Sequence, residues 1–192
     1  MFSPDGFKPY RKYYDRGDYH WQEYVGGKTR AVVDTVSDYI AAQKPESLLD
    51  IGCGDGLYLA KIRERLGEIR VLGIDNNTEA IRWAQTHDVP AQHMNAHECT
   101  QLGKFAAVGL FDSLEHMSLP YVLLDQLHTV TDTLFILNPD PNNSGWHFQE
   151  WTEPELVAFA RKYRWNLVHS QHFRITTHSG KTLLHLKSET QS

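Results

Sequence analysis

Short runs of apolar residues recur along the chain, and most are followed by a segment whose apolar positions have helical spacing. The runs predict strands at 47–51, 70–75, 91–95, 105–112 and 133–138. Two more predicted strands, at 166–175 and 181–187, flank the turn residues His178, Ser179 and Gly180. Strands that alternate with helices and end in an antiparallel pair predict a doubly wound α/β sheet of seven strands, mostly parallel with one antiparallel edge strand.

Periodic apolar positions predict the helices that connect these strands. The predicted helices span 21–43, 57–66, 78–86, 120–130 and 153–162. In the first helix we expect Val25 and Val36 to face the core, and Pro45 ends the segment. The last helix is opened by Thr152 and has Pro154 in its first turn.

The composition is typical of one globular domain. Of the 192 residues 41% are hydrophobic, and no apolar run approaches the ~18 residues of a membrane-spanning helix. Cys53 and Cys99 lack metal-binding spacing, which predicts a reducing, cytoplasmic location. The net charge of −5, without a basic run, argues against nucleic acid as a partner. We predict an N-terminal region at 1–40, a main domain at 41–187 and a polar tail at 188–192.

The most informative segment is an apolar run that ends in Asp50 and continues as a loop containing Gly52, Gly54 and Gly56. Without Cβ atoms, these glycines let a ligand approach the backbone at the start of the next helix, where the helix dipole is positive. Dinucleotide loops have the spacing G-x-G-x-x-G, whereas the spacing here is G-x-G-x-G. Asp50 and Asp55 flank the loop and would repel a pyrophosphate, so we expect a cationic ligand that carries an amino acid.

This segment resembles motif I of the class I methyltransferases that use S-adenosylmethionine (SAM). The resemblance covers about residues 40–187 and implies a Rossmann-like fold with SAM as cofactor. It implies that the methionine end and the ribose are held by Asp50, Gly52, Cys53, Gly54 and Gly56. An ordinary strand-to-helix turn is the alternative.

A second acid stands at a strand end one helix later. Asp75 ends the predicted strand 70–75, where a carboxylate can accept hydrogen bonds from both ribose hydroxyls. The resemblance assigns Asp75 to the ribose and Asn76 to the adenine, and the alternative is that Asp75 caps the next helix. Where the family usually has Asp-Ala after the third strand, this chain has Asn95 and Ala96, and the resemblance implies that they contact the adenine.

The segment 109–117 contains the sequence D-S-L-E-H, which resembles a D-x-L-E-H signature of many small-molecule methyltransferases. The resemblance implies that Phe111 and Asp112 lie at the cofactor, beside the transferred methyl. His116 is a candidate general base, since the ordinary pKa of histidine lies near neutral, and Glu115 is a candidate catalytic partner. The alternative is that both residues only fix the loop, because methyl transfer from a sulfonium can proceed by positioning alone.

The same acids and a later histidine allow another interpretation. Asp112, Glu115 and His116, with His147 further on, are similar to a metal-binding set of small-RNA 3′-terminal 2′-O-methyltransferases. The resemblance implies a divalent metal that acidifies a terminal ribose hydroxyl. In this chain Asp112 replaces the usual glutamate, and long basic RNA-facing segments are missing. We therefore predict no metal, with His147 and Trp151 shaping a metal-free acceptor pocket.

The N-terminal region is rich in aromatic residues, with 8 of the 22 in the chain among the first 24 positions. Such side chains suit a lid that closes over cofactor and substrate and excludes water. Tyr19, His20 and Trp21 are expected to reach the site. A packing strap or a dimer contact is the alternative.

Together these patterns predict a SAM-dependent methyltransferase that transfers a methyl group to a small-molecule acceptor, at oxygen. One alternative is the metal-assisted RNA 3′-terminal 2′-O-methyltransferase, and another is a SAM-binding protein without catalysis. A nicotinamide or flavin oxidoreductase is disfavoured by the glycine spacing.

Overall fold

The structure is a computed structural model that describes residues 14–15, 17–142, 147–177 and 179–189. One sheet contains seven strands: β1 (Ser47–Ile51), β2 (Arg70–Asp75), β3 (Ala91–His93), β4 (Ala107–Phe111), β5 (Thr133–Pro139), β6 (Trp165–Arg174) and β7 (Gly180–Ser188). Their order is β3-β2-β1-β4-β5-β7-β6. The first five strands are parallel, and β7 pairs antiparallel with both β5 and β6. The predicted Rossmann-like fold is confirmed, and the reversed strand lies one position inside the edge.

Helices cover both faces of the sheet. They are α1 (Tyr19–Val25), α2 (Arg30–Ala42), α3 (Leu57–Leu66), α4 (Thr78–Thr86), α5 (Pro120–Gln126) and α6 (Glu153–Lys162). Short 3-10 helices span Ala96–Leu102, Leu114–His116 and Leu127–Thr129. Leu48 packs in the core on one face and Leu49 in the core on the other, as strand alternation requires. Among the described residues, no helix has the length and apolar character to span a membrane.

The prediction of one helix over 21–43 is wrong. The segment forms two helices, α1 and α2, because Gly26 and Gly27 interrupt it and Gly27 has a φ of +85°. Val36 is fully buried as expected, but Val25 at the end of α1 is 69% exposed. The break lets α1 run towards the glycine loop instead of continuing along the core.

Other element boundaries shift by a few residues for identifiable reasons. The third strand ends at His93 because the Asn95 side chain caps the 3-10 helix that follows. The predicted tail begins too early, since Ser188 belongs to β7 and its amide donates to the Asp132 carbonyl oxygen at 3.0 Å. The start of α6 is as predicted, and Thr152 forms a capping box there with Glu155.

Candidate active site

A cavity of about 620 Å³ lies at the carboxyl ends of β1, β2 and β4. This is the edge at which doubly wound sheets bind ligands, and the volume is in the range of small-molecule sites. The predicted site residues that line it are Gly52, Cys53, Asp75, Asn76, Asn95, Ala96, Phe111, Asp112 and His116. The structure therefore brings together residues from all four predicted motifs.

The glycine loop is fixed by contacts to two neighbouring strand ends. The amides of Gly52 and Cys53 donate to the Ile74 carbonyl oxygen at 2.8 and 3.0 Å. Gly52 has a φ of +78°, and a Cβ there would lie 2.5 Å from the Ser113 Cβ. The Ser113 hydroxyl donates to the Ile51 carbonyl oxygen at 2.7 Å, so Ser113 is itself fixed against the loop. Only glycine fits at this crossing of the two segments.

Four predicted site residues, Asp50, Gly54, Gly56 and Glu115, lie outside the cavity lining. Asp50 is buried below the loop, and its Oδ1 has no hydrogen-bond partner. Gly54 is covered, since a Cβ there would lie 2.4 Å from the Tyr14 hydroxyl. A Cβ on Gly56 would face Val89 and Ala84 in the core. Cofactor contacts of Asp50, Gly54 and Gly56 and a catalytic role of Glu115 stay predictions.

Asp75 joins the end of β2 to the glycine loop. Its carboxylate accepts hydrogen bonds from the Gly54 amide at 3.0 Å and the Asn77 amide at 2.8 Å. Burial raises the pKa of this carboxyl, and the two amides counteract part of that rise. The cap of α4 is Asn77, whose side chain accepts from two amides of the first turn, so the alternative role of Asp75 as that cap is wrong.

Asn95 and Ala96, which follow β3, also line the cavity. The Asn95 side-chain oxygen accepts from the His97 amide at 3.0 Å, and the Asn95 amide donates to Glu98 at 3.2 Å. This capping box uses the Asn95 oxygen in local structure, so its side-chain amide group is the part that remains for a ligand. Asn76 lines the same region, and its carbonyl oxygen is 3.0 Å from His93 Nε2.

Asp112 has a strained backbone, with a φ of +53° in a residue that is not glycine. One carboxylate oxygen accepts from Lys181 and lies 3.5 Å from the Tyr58 hydroxyl. The other oxygen, Oδ1, is buried without a partner. The Phe111 ring packs against Tyr58, with the ring centroids 5.0 Å apart. An unpartnered carboxylate oxygen beside a cavity suits a ligand that donates hydrogen bonds or carries positive charge.

Glu115 and His116 form an adjacent acid–imidazole pair. His116 lines the cavity, and its Nε2 lies 3.7 Å from Glu115 Oε1. Glu115 is 1% exposed and its Oε2 has no hydrogen-bond partner. Burial raises the pKa of the Glu115 carboxyl well above its ordinary value, and the nearby charge of Asp112 raises it further.

His147, in the loop after β5, lies close to Glu115 and His116. Its ring centroid is 4.9 Å from that of His116, and its Nδ1 lies 3.1 Å from Glu150 Oε1. One ligand atom each from Glu115, His116 and His147 lie within 4.8 Å of one another. Trp151 instead stacks on Phe159 in the core, so the expectation that it shapes the acceptor pocket is wrong.

Cys53 lines the cavity but its sulfur faces the sheet. A Cβ on Gly73 would lie 2.6 Å from the Cys53 Sγ, so the thiol occupies space that Gly73 leaves. Burial raises the pKa of the thiol well above its ordinary value. The expectation that Cys53 acts as a small side chain and not as a nucleophile agrees with this environment.

The start of the described chain lies against the glycine loop. Tyr14 and His20 line the cavity, whereas the Trp21 indole donates to the Asp55 carbonyl oxygen at 3.0 Å. Tyr19 does not line the cavity, and its hydroxyl donates to Glu23 at 2.8 Å. The remaining predicted lid aromatics before Tyr14 fall outside the described residues.

Several side chains at the site carry no motif in the sequence. Tyr58 and Lys181 are 54 and 69 positions from Asp112, and the sheet topology alone brings them to it. Phe148 also lines the cavity, where its amide donates to the Glu115 carbonyl oxygen at 2.9 Å. Sequence spacing gives no signal for contacts of this kind.

Comparison with known proteins assigns the chain to a family. A family model described as a methyltransferase domain matches residues 21–186. The chain therefore belongs to this family, and the prediction of a class I SAM-dependent methyltransferase is confirmed. No curated protein sequence matches the chain.

Solved structures share the fold at low sequence identity. Magnesium protoporphyrin IX methyltransferase from Synechocystis PCC 6803 with bound SAM is 16% identical, with a TM-score of 0.69 over 87% of this chain and 83% of that one. A 1,6-didemethyltoxoflavin-N1-methyltransferase from Burkholderia thailandensis is 18% identical, with a TM-score of 0.67 over 99% and 94%. A SAM-dependent methyltransferase from Archaeoglobus fulgidus is 17% identical, with a TM-score of 0.69 over 88% and 99%.

Proposed function

We propose that this chain transfers a methyl group from SAM to a hydroxyl oxygen of a small-molecule acceptor, with His116 as general base. The observation that carries the proposal is His116 at the wall of the cavity, on the segment that follows β4, with the buried Glu115 carboxyl 3.7 Å from its Nε2. A neutral hydroxyl is a weak nucleophile and has to lose its proton as it attacks, whereas a neutral amine can attack first and lose its proton afterwards, so a base at this place favours oxygen.

The residues of the cavity fit the cofactor. Asp75 would accept hydrogen bonds from the ribose, and Asn76, Asn95 and Ala96 would surround the adenine. The unpartnered, buried oxygen of Asp112 suits the positive charge of the methionine end. When bound, SAM supplies an electrophilic methyl group on its sulfonium.

The glycine loop completes the fit at the methionine end. Gly52 and Cys53 would contact the methionine end directly, and Asp50, Gly54 and Gly56 would hold the loop in shape. Phe111 lines the cavity and packs against Tyr58, and it would exclude water from the reacting groups.

In this proposal the acceptor would lie beside His116 and Met117 from one segment and Phe148 from another, all of which line the cavity. The two apolar side chains of Met117 and Phe148, together with the His116 imidazole, suit a small organic molecule that presents a hydroxyl. Two of the similar solved structures are named as methyltransferases of magnesium protoporphyrin IX and, at N1, of 1,6-didemethyltoxoflavin, and both compounds are small molecules. The composition, without a basic run, also supports a small-molecule acceptor.

The direct test is an acceptor screen with isotope-labelled SAM and small phenols, sugars, carboxylic acids and amines. We expect label transfer to a hydroxyl compound and not to its amine analogue. Transfer to amines alone would contradict the choice of oxygen. Cofactor binding without transfer to any acceptor would favour a SAM-binding protein without catalysis.

The Asp75→Asn variant tests the cofactor assignment. Loss of the carboxylate weakens two charge-assisted hydrogen bonds to the ribose, so binding of S-adenosylhomocysteine (SAH) should weaken by about 1–3 kcal/mol. The measurement is isothermal titration calorimetry. Glu79→Gln removes an equal charge from an exposed ion pair with Arg82 and is the matched control. Equal affinity of the Asp75 variant and the native chain would contradict the ribose assignment.

A second candidate function is favoured by the three converging groups of Glu115, His116 and His147. Imidazole and carboxylate atoms at this separation suit a divalent transition metal, which would acidify a hydroxyl of a terminal ribose. This candidate is the metal-assisted RNA 3′-terminal 2′-O-methyltransferase.

Chelation separates the two candidates. The small-molecule candidate predicts that turnover survives treatment with a chelator. The RNA candidate predicts loss of turnover on short RNA with a free 3′ end and recovery with manganese or cobalt. RNA with a blocked 3′ ribose is the control substrate, since it lacks the hydroxyl that would be methylated.

A further inference from the structure

The His20 ring lies where α1 meets the glycine loop, and Asp55 holds it there. The His20 amide donates to Asp55 Oδ2 at 2.8 Å, and the ring Nδ1 lies 3.1 Å from Asp55 Oδ1. The Tyr14 hydroxyl is 3.4 Å from the same nitrogen. About a third of the His20 side chain is exposed (34%), and both His20 and Tyr14 line the cavity.

The contact between His20 and Asp55 is an ion pair when the His20 ring is protonated. Burial tends to raise the pKa of the Asp55 carboxyl, but His20 and the amides of His20 and Leu57 lower it below its ordinary value. Burial tends to lower the pKa of His20, but Asp55 raises it above its ordinary value. Asp55 therefore favours the protonated form of the ring, in which both nitrogens donate.

Two other groups near the loop that could bind an anion are already in use. The buried Asp55 carboxylate accepts a hydrogen bond from the Leu57 amide in the first turn of α3. The positive end of this helix dipole therefore already faces a negative charge. The Lys181 ammonium donates to Asp112. Asp75 and Asp112 line the same cavity and would repel an anion. In the part of the chain that the structure describes, the His20 ring bonds through Nδ1, which leaves Nε2 able to donate to a ligand.

We propose that protonated His20, with the Tyr14 hydroxyl beside it, binds the carboxylate of the cofactor's methionine end. That end carries an ammonium and a carboxylate, and the acids of the cavity suit only the ammonium. His20 and Tyr14 meet the loop at Gly54, where a Cβ would lie 2.4 Å from the Tyr14 hydroxyl and 3.2 Å from the His20 ring. The inference rests on SAM as cofactor and is independent of the acceptor and of His116.

The test compares two ligands and two variants by calorimetry. SAH carries the amino-acid end, and 5′-methylthioadenosine lacks it. His20→Gln keeps a polar side chain without the charge and should weaken SAH binding about ten- to a hundredfold, while binding of 5′-methylthioadenosine stays unchanged. Decarboxylated SAH, which keeps the ammonium, should bind the native chain and the His20 variant equally.

His87→Ala is the matched control. His87 stacks on Trp21 and bonds to Asp18, so it anchors the same N-terminal segment without lining the cavity. If His20 acted only by anchoring the N-terminal segment, both variants would bind SAH and 5′-methylthioadenosine more weakly than the native chain does. That result would overturn the proposal, as would unchanged or tighter SAH binding in the His20 variant.

The pH dependence gives a further readout. The charged and titratable groups that face His20 are Asp55, Asp75, Tyr14, Tyr19, Asp112 and Lys181. Because the charged ring is the binding form, SAH affinity should be full below the raised pKa of His20 and fall as the pH rises through it. The profile should be flat for His20→Gln and for 5′-methylthioadenosine. A native chain that binds neither ligand would be a failure of the cofactor assignment, whereas equal pH profiles for the two ligands would overturn the role of His20.

Discussion

Replacing His116 by alanine is expected to lower kcat/KM for the acceptor by about a hundred- to ten-thousandfold, the usual contribution of a positioned general base. The affinity for SAH should not change, because His116 makes none of the proposed cofactor contacts. Only 14% of the His116 side chain is exposed, and the Glu115 carboxyl beside it is buried. Loss of the ring would leave the acceptor hydroxyl protonated as it approaches the methyl group.

Added imidazole distinguishes a general base from a structural residue. Imidazole should restore part of the turnover of His116→Ala, because it can enter the space that the ring leaves. His128→Ala is the control: this histidine stacks on Trp165 and bonds to the Tyr163 carbonyl oxygen, so its loss affects stability and not the site. Turnover of the His116 variant equal to that of the native chain would leave His116 a structural residue.

The second large effect is expected for Gly54→Val, which should weaken SAH binding by a hundredfold or more while the domain stays folded. Gly54 has a φ of +55°, a region that costs a β-branched residue about 1–2 kcal/mol. The new Cβ would meet the Tyr14 hydroxyl at 2.4 Å, so Tyr14 and the loop would both have to move. Calorimetry with SAH measures the loss, and a thermal melt checks the fold.

Gly67→Val separates backbone strain from obstruction of the site. Gly67 also has a positive φ, +76°, but a Cβ there would meet nothing within 4 Å. Its valine variant should lose stability and keep its affinity for SAH. Equal loss of affinity in both variants would mean that general destabilisation, and not the glycine loop, accounts for the effect.

The sequence predicts those parts of the fold that depend on local pattern. β1 and β2 lie at their predicted residues, 47–51 and 70–75, because each is a buried apolar run that ends in an acid. The helix over 21–43 is mispredicted because Gly26 and Gly27 occur within a continuous periodic pattern, and the pattern does not register the positive φ of Gly27. Val25 continues that pattern and is nevertheless exposed.

Site residues can be predicted when a motif within one segment contains them. They cannot be predicted when their position depends on contacts between several segments. The cavity wall includes Asp75, Asn95 and His116, each named from its own motif. The burial of Asp50 behind the wall depends on how the loop turns, which the spacing of glycines does not specify. The contact of His20 with Asp55 joins residues 35 positions apart, and only the packing of α1 on the loop creates it.

The most direct test of the account is calorimetric titration of chelator-treated protein with SAH, repeated with added manganese. We predict micromolar binding to one site per chain, independent of metal. Heat from manganese alone, without a change in SAH affinity, would support the metal-assisted candidate within the same cofactor assignment. Absence of SAH binding in both conditions would contradict the central claim that this cavity is a SAM site.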